Sequence, residues 1–89
     1  MARKFSAPES VKDCNNLSAG GDYHVPKTAK GSPYPNQSSA IVTQYNVSYA
    51  DFEDATTAFQ TAIPFARSVN YKMKRRTYAE GQWSQWFDI

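Results

Sequence analysis

Apolar and polar positions alternate most clearly in residues 40–47, where Ile41, Thr43, Tyr45 and Val47 interleave with Ala40, Val42, Gln44 and Asn46. A period of two with β-branched residues predicts a half-buried strand. A lone strand has no ladder, so this one must pair with a weakly signalled strand, pack as extended chain, or add to the sheet edge of another protein.

Downstream the period lengthens. Phe52, Ala55, Phe59, Ala62, Ile63, Ala66, Val69 and Met73 fall within an arc of roughly 120° at helical spacing, the width of a core-facing stripe. Ser48 with Asp51 reads as a capping box, and Asp51, Glu53 and Asp54 place negative charge at the helix start. The pattern predicts an amphipathic helix over residues 49–76, kinked or split at Pro64, whose ring removes a hydrogen bond and crowds the preceding turn.

Before the strand no period is visible. Residues 1–39 hold Pro8, Pro26, Pro33 and Pro35, with Gly20, Gly21 and Gly31, which predicts an extended, irregular arm. Pro33-Tyr34-Pro35-Asn36 reads as polyproline-like chain leading into a turn, with amides that need partners elsewhere. Residues 77–89 read as an aromatic tail carrying Tyr78, Trp83, Trp86 and Phe87. The expected fold is therefore mostly irregular, with one strand, one helix and no large core of its own.

Size agrees with that expectation. A chain of 89 residues buries only about 60% of its unfolded surface. Its single cysteine, Cys14, excludes an internal disulfide and leans toward a reducing compartment. No apolar run reaches the roughly 20 residues needed to span a bilayer, and no secretory leader is recognisable at the start. An intracellular, virion or organellar setting is expected ahead of a secreted one.

Charge is nearly balanced, with 10 basic against 8 acidic residues. The basic residues concentrate at Lys72, Lys74, Arg75 and Arg76, between segments that are each net acidic. With Tyr71, Tyr78 and the tryptophans nearby, this cluster could bind nucleic acid. On a helix, however, the four cations would point in several directions and simply complement the dipole.

No chemistry-bearing motif emerges. Cys14 and His24 are the only strong metal ligands, and Asp13 and Asp22 do not complete a recognisable site with them. No nucleophile has a placed base, and no glycine spacing matches a phosphate cradle. No catalytic residue, metal, cofactor or small-molecule substrate is expected. The Trp-x-x-Trp spacing of Trp83 and Trp86 resembles the tryptophan ladder of thrombospondin-type repeats. That family's disulfide cysteines and arginine strand are missing, and the resemblance is set aside.

The sequence thus predicts a non-enzymatic linker subunit lying extended across larger proteins of an assembly. In character it is similar to minor virion proteins, antenna linkers or accessory subunits of organellar complexes. Trp83, Trp86, Phe87, Tyr78, Tyr34 and Tyr45 would anchor it, with Arg75 and Arg76 as electrostatic clamps. The alternative is a small ribonucleoprotein subunit using Lys72, Lys74, Arg75 and Arg76.

Overall fold

The computed structural model describes residues 9–17, 19–46, 58–65 and 72–89. It is a single twisted sheet, not an irregular arm with a helix. In chain order the strands are β1 (Glu9–Ser10), β2 (Gly21–Val25), β3 (Ala40–Asn46), β4 (Ala58–Pro64), β5 (Lys74–Ala79), β6 (Gln82–Trp83) and β7 (Phe87–Asp88). They lie side by side in the order β1-β2-β3-β4-β5-β6, with β7 also paired to β5. All pairings are antiparallel except β1 with β2.

The strand expected at residues 40–47 is β3, and it is central. It finds both partners within its own chain, β2 on one side and β4 on the other, so this strand offers no free edge to another protein.

The helix expected at 49–76 is overturned wherever those residues are described. Ala58–Pro64 and Lys74–Ala79 are strands, and the proposed cap at Ser48 and Asp51 lies outside the described residues. The reason is visible in β4: Ala58, Gln60 and Ala62 are buried on one face, while Phe59 and Ile63 are exposed on the other. Phe59, Ala62 and Ile63 match a helical stripe by spacing, but a short segment can satisfy both periods. The long ladder with β3 selects the extended form. Pro64 ends the strand opposite Ala40, and the next amide, Phe65 N, donates to Ser39 O at 2.9 Å. A proline at a strand end removes little from the ladder.

The described part of residues 1–39 is packed as well. Apart from β1 and β2 it forms a lid over one face of the sheet, contributing Cys14 and Tyr34 to a buried cluster with Val25 of β2, Ala40, Val42 and Ala62. Its amides find their acceptors inside the same chain: Val11 N to His24 O at 3.0 Å, Cys14 N to Lys30 O at 2.8 Å, and Lys30 N to Lys12 O at 3.0 Å. After Tyr34 the chain turns through Asn36, with the Gln37 and Ser38 amides donating to Tyr34 O.

The tail closes the sheet. Glu80 (φ 54°) and Gly81 (φ 82°) link β5 to β6, with Ala79 paired to Gln82. Two consecutive positive φ angles make the primed turn whose twist suits a two-residue hairpin.

Gly31 and Gly81 both occupy left-handed backbone, at φ 72° and 82°, yet in different surroundings. A Cβ on Gly81 meets open space, whereas one on Gly31 would fall on the Asn15 side-chain amide. Gly81→Ala should therefore cost about 1–2 kcal/mol in urea unfolding, the backbone penalty alone. Gly31→Ala should cost measurably more. Equal losses would show that Asn15 is free to move.

Candidate functional site

The covered face holds an unusual core. On β5 the buried residue is Arg76, 4% exposed. Its Nε donates to Gln60 Oε1 at 2.7 Å, Nη1 to Asn15 Oδ1 at 2.8 Å and Nη2 to Cys14 O at 3.1 Å. The guanidinium carbon also lies 4.5 Å from the ring centres of both Trp83 and Trp86. No carboxylate is among these hydrogen-bond partners. Neutral carbonyl oxygens and two aromatic faces surround the charge, the latter drawn to the cation through their quadrupoles.

Gln60 and Gln44 extend the network. Gln60 Nε2 donates to Cys14 O and to Gln44 Oε1, each at 2.9 Å, while Gln60 Oε1 accepts from Arg76 and from the Cys14 thiol. Gln44 Nε2 donates to Leu17 O and Asn46 Oδ1. Among the described residues no buried side-chain polar atom lacks a partner. Burial pushes the Cys14 thiol up from its ordinary range, a shift opposed by the neighbouring Arg76. Burial likewise lowers the Arg76 guanidinium, opposed by Cys14 and Asp13. The Cys14 thiol is buried and its hydrogen is taken up by Gln60 Oε1, so burial disfavours the thiolate.

The expected partner-facing residues are distributed as follows. Trp83 and Trp86 are half-buried, and their indole N–H groups donate to Asn15 O at 3.0 Å and Gly31 O at 2.9 Å. Both rings thereby staple the lid to the sheet. Arg76 of β5 lies over both rings. Tyr78 meets Trp83 edge-on at 5.1 Å. Tyr34 is 1% exposed and its hydroxyl donates to Lys72 O. Tyr45, Phe87 and Arg75 are exposed.

The basic cluster is split by the strand's alternation. Arg76 is interior, and Lys74 pairs with Asp88 at 3.7 Å and lies over the Tyr34 ring. Arg75 points to the opposite face, beside Thr61 and Phe87. Lys72 lies before the strand and is exposed. The four cations share no surface.

Cys14 and His24 are separated by the sheet. Cys14 lies under the lid, while His24 is on the other face, hydrogen-bonded to Ser10 Oγ at 3.0 Å and stacked on Phe65. Among the described residues no three metal-ligating groups converge, and no helix is long and apolar enough to cross a membrane.

Two surfaces remain. One is a cleft of about 290 Å³ at one end of the covered face, lined by Asn15, Asn16, Leu17, Gln44, Asn46, Ala58, Tyr78 and Trp83. These residues include no carboxylate, imidazole or thiol. The other is the uncovered face. It presents Tyr45, Phe59 and Ile63, which are 54%, 40% and 52% exposed, with Ile41, Thr43, Thr61, Arg75, Thr77 and Phe87 around them. The sequence reading took Phe59 and Ile63 for core. The alternation of Ala58, Gln60 and Ala62 against them was the available signal, masked because the buried positions are small or polar.

Comparison with known protein families, with curated sequences and with solved structures finds no match.

Arg76→Ala would orphan acceptors on Gln60, Asn15 and Cys14 and remove the cation between the rings. The expected loss is on the order of 3–5 kcal/mol, against a total of about 5–13 kcal/mol for a domain of this size. Arg76→Lys should also destabilise, because an ammonium cannot reproduce the planar fork. Urea unfolding monitored by tryptophan fluorescence tests both.

Burial and then the Asp88 charge push the Tyr34 phenol up to about 12 from 10.0. The folded state keeps this proton after the unfolded state has lost it. Its stabilising contribution is thus complete below pH 10 and is lost as the pH rises through about 12. In absorbance titration at 295 nm one tyrosine should ionise late, and Tyr34→Phe should abolish that late step.

Proposed function

We propose that this chain is a non-enzymatic assembly subunit that holds proteins together through its uncovered sheet face. The observation carrying this reading is the contrast between the two faces of one sheet. One is sealed by a lid and stitched by Arg76, Gln60 and the tryptophans. The other leaves Tyr45, Phe59, Ile63, Phe65 and Phe87 in water. A contiguous aromatic and aliphatic patch on a small domain marks a contact surface, and aromatic residues are enriched at such contacts.

The anchors differ from those expected of an extended linker. Tyr45, Phe87 and Arg75 keep a contact role in this reading, whereas Trp83, Trp86, Tyr34 and Arg76 serve the domain's own core. The subunit acts as a compact block with one adhesive side. Since the cations are divided between two faces and the interior, nothing favours the nucleic-acid alternative.

A benzophenone side chain in place of Thr61, at the centre of the open face, tests the proposal in the full chain. Irradiation in the producing cell should join the chain to a polypeptide, and Phe59→Asp should suppress the adduct. A folded chain that cross-links to no polypeptide overturns the reading.

A further inference from the structure

The open face has an internal symmetry that names its partner. Cross-strand pairs arrange its residues in rows. The middle row reads Asp22, Thr43, Thr61, Arg75 across β2, β3, β4 and β5. The row on one side pairs Ile41 with Ile63, and the row on the other pairs Tyr45 with Phe59. About the line between β3 and β4 each row therefore matches like with like: threonine with threonine, isoleucine with isoleucine, aromatic ring with aromatic ring. The match holds for the two central strands; outside them His24 flanks Ile41, Thr77 flanks Phe59 and Phe87 lies beyond Arg75, while Asp22 and Arg75, next to the central pair of the middle row, carry opposite charges.

We propose that this face is closed by the same face of a second copy, related by a two-fold axis parallel to β3 and β4 in the plane between the sheets. The inference rests on reading the face as a protein-docking surface. Such an axis sets β3 of each copy over β4 of the other. Ile41 then packs on the second copy's Ile63, Tyr45 on its Phe59 and Thr43 on its Thr61. Asp22 faces Arg75 twice, once at each end.

The geometry is that of an aligned β-sandwich. Strands are spaced about 4.8 Å and packed sheets about 10 Å, so Asp22 and Arg75 each lie roughly 7 Å from the axis. The usual twist of about 30° between packed sheets displaces the row ends by roughly 3–4 Å, which an arginine side chain spans. An axis perpendicular to the strands would instead place Asp22 on Asp22 and Arg75 on Arg75. The charges thus select one of the two isologous arrangements. Both are available for the contact, since among the described residues the only ion pair is Lys74 with Asp88. Asp22 is held upright by the Thr43 hydroxyl, which donates to its Oδ1 at 2.6 Å.

Four strands by about five residues give a footprint of roughly 330 Å² per copy. That is at the small end for protein contacts, so the pair should be transient, with Kd on the order of 10–100 µM.

Sedimentation of the full chain from 1 µM to 1 mM, at low salt, tests this. Self-association in the stated range is expected. Asp22→Arg and Arg75→Asp should each weaken it at least tenfold, because each creates two like-charge contacts. The double exchange Asp22→Arg/Arg75→Asp should restore it to within about threefold. A one-to-one mixture of the two single variants should form a mixed pair at least as tight as the wild-type pair, since both contacts are then opposite in charge. Thermal melts confirm that the exposed substitutions leave the fold intact. A wild-type chain monomeric at 1 mM overturns the proposal, as does a mixture no tighter than its components. If the Thr61 probe labels a different protein while the chain stays monomeric, the second copy is excluded and the docking reading stands. If it labels no polypeptide, both fall.

Discussion

A guanidinium sealed inside a small domain with no carboxylate among its hydrogen-bond partners dictates how the rest of this sheet is built. Desolvating the Arg76 charge is costly, and every element around it contributes to the compensation. β4 supplies Gln60, the lid supplies Asn15 and the Cys14 carbonyl, and the tail supplies two indole faces. Because these groups come from segments far apart in sequence, the charge is satisfied only when lid, sheet and tail are assembled together. The arrangement makes the fold cooperative in a chain whose apolar core, mostly Val25, Tyr34, Val42 and alanines, is small.

That choice has a consequence for the other face. With glutamines, alanines and an arginine turned inward, the large side chains of β4 have only the outer face to occupy. Phe59 and Ile63 are displayed there, with Tyr45 across the ladder. The inner face thus combines a small apolar cluster with a completed polar network, and the outer face carries the larger apolar side chains. The sheet is left with surface that favours association.

The lid illustrates how a proline- and glycine-rich segment becomes ordered without repeating structure. Its amides are used by short-range turns and by bonds to neighbouring loop segments, and Gly31 takes the left-handed backbone that lets the lid approach Asn15. The two indoles then pin its carbonyls from the tail side. All of these bonds lie within the chain itself.

From the sequence by itself followed the strand that begins at Ala40 and the turn after Pro35. Alternation of β-branched residues and proline geometry are local properties, legible without neighbours. Tertiary structure decided the rest. Whether Phe59 and Ile63 share a helical stripe or stand out from a strand depends on a ladder with β3, a partner more than ten residues away. Whether the cations at 72–76 form a patch depends on the same choice, since a strand sends Arg75 and Arg76 to opposite faces. Burial of Arg76 was invisible for a physical reason: its compensation comes from Asn15, Cys14, Gln60, Trp83 and Trp86, whose convergence no local pattern encodes.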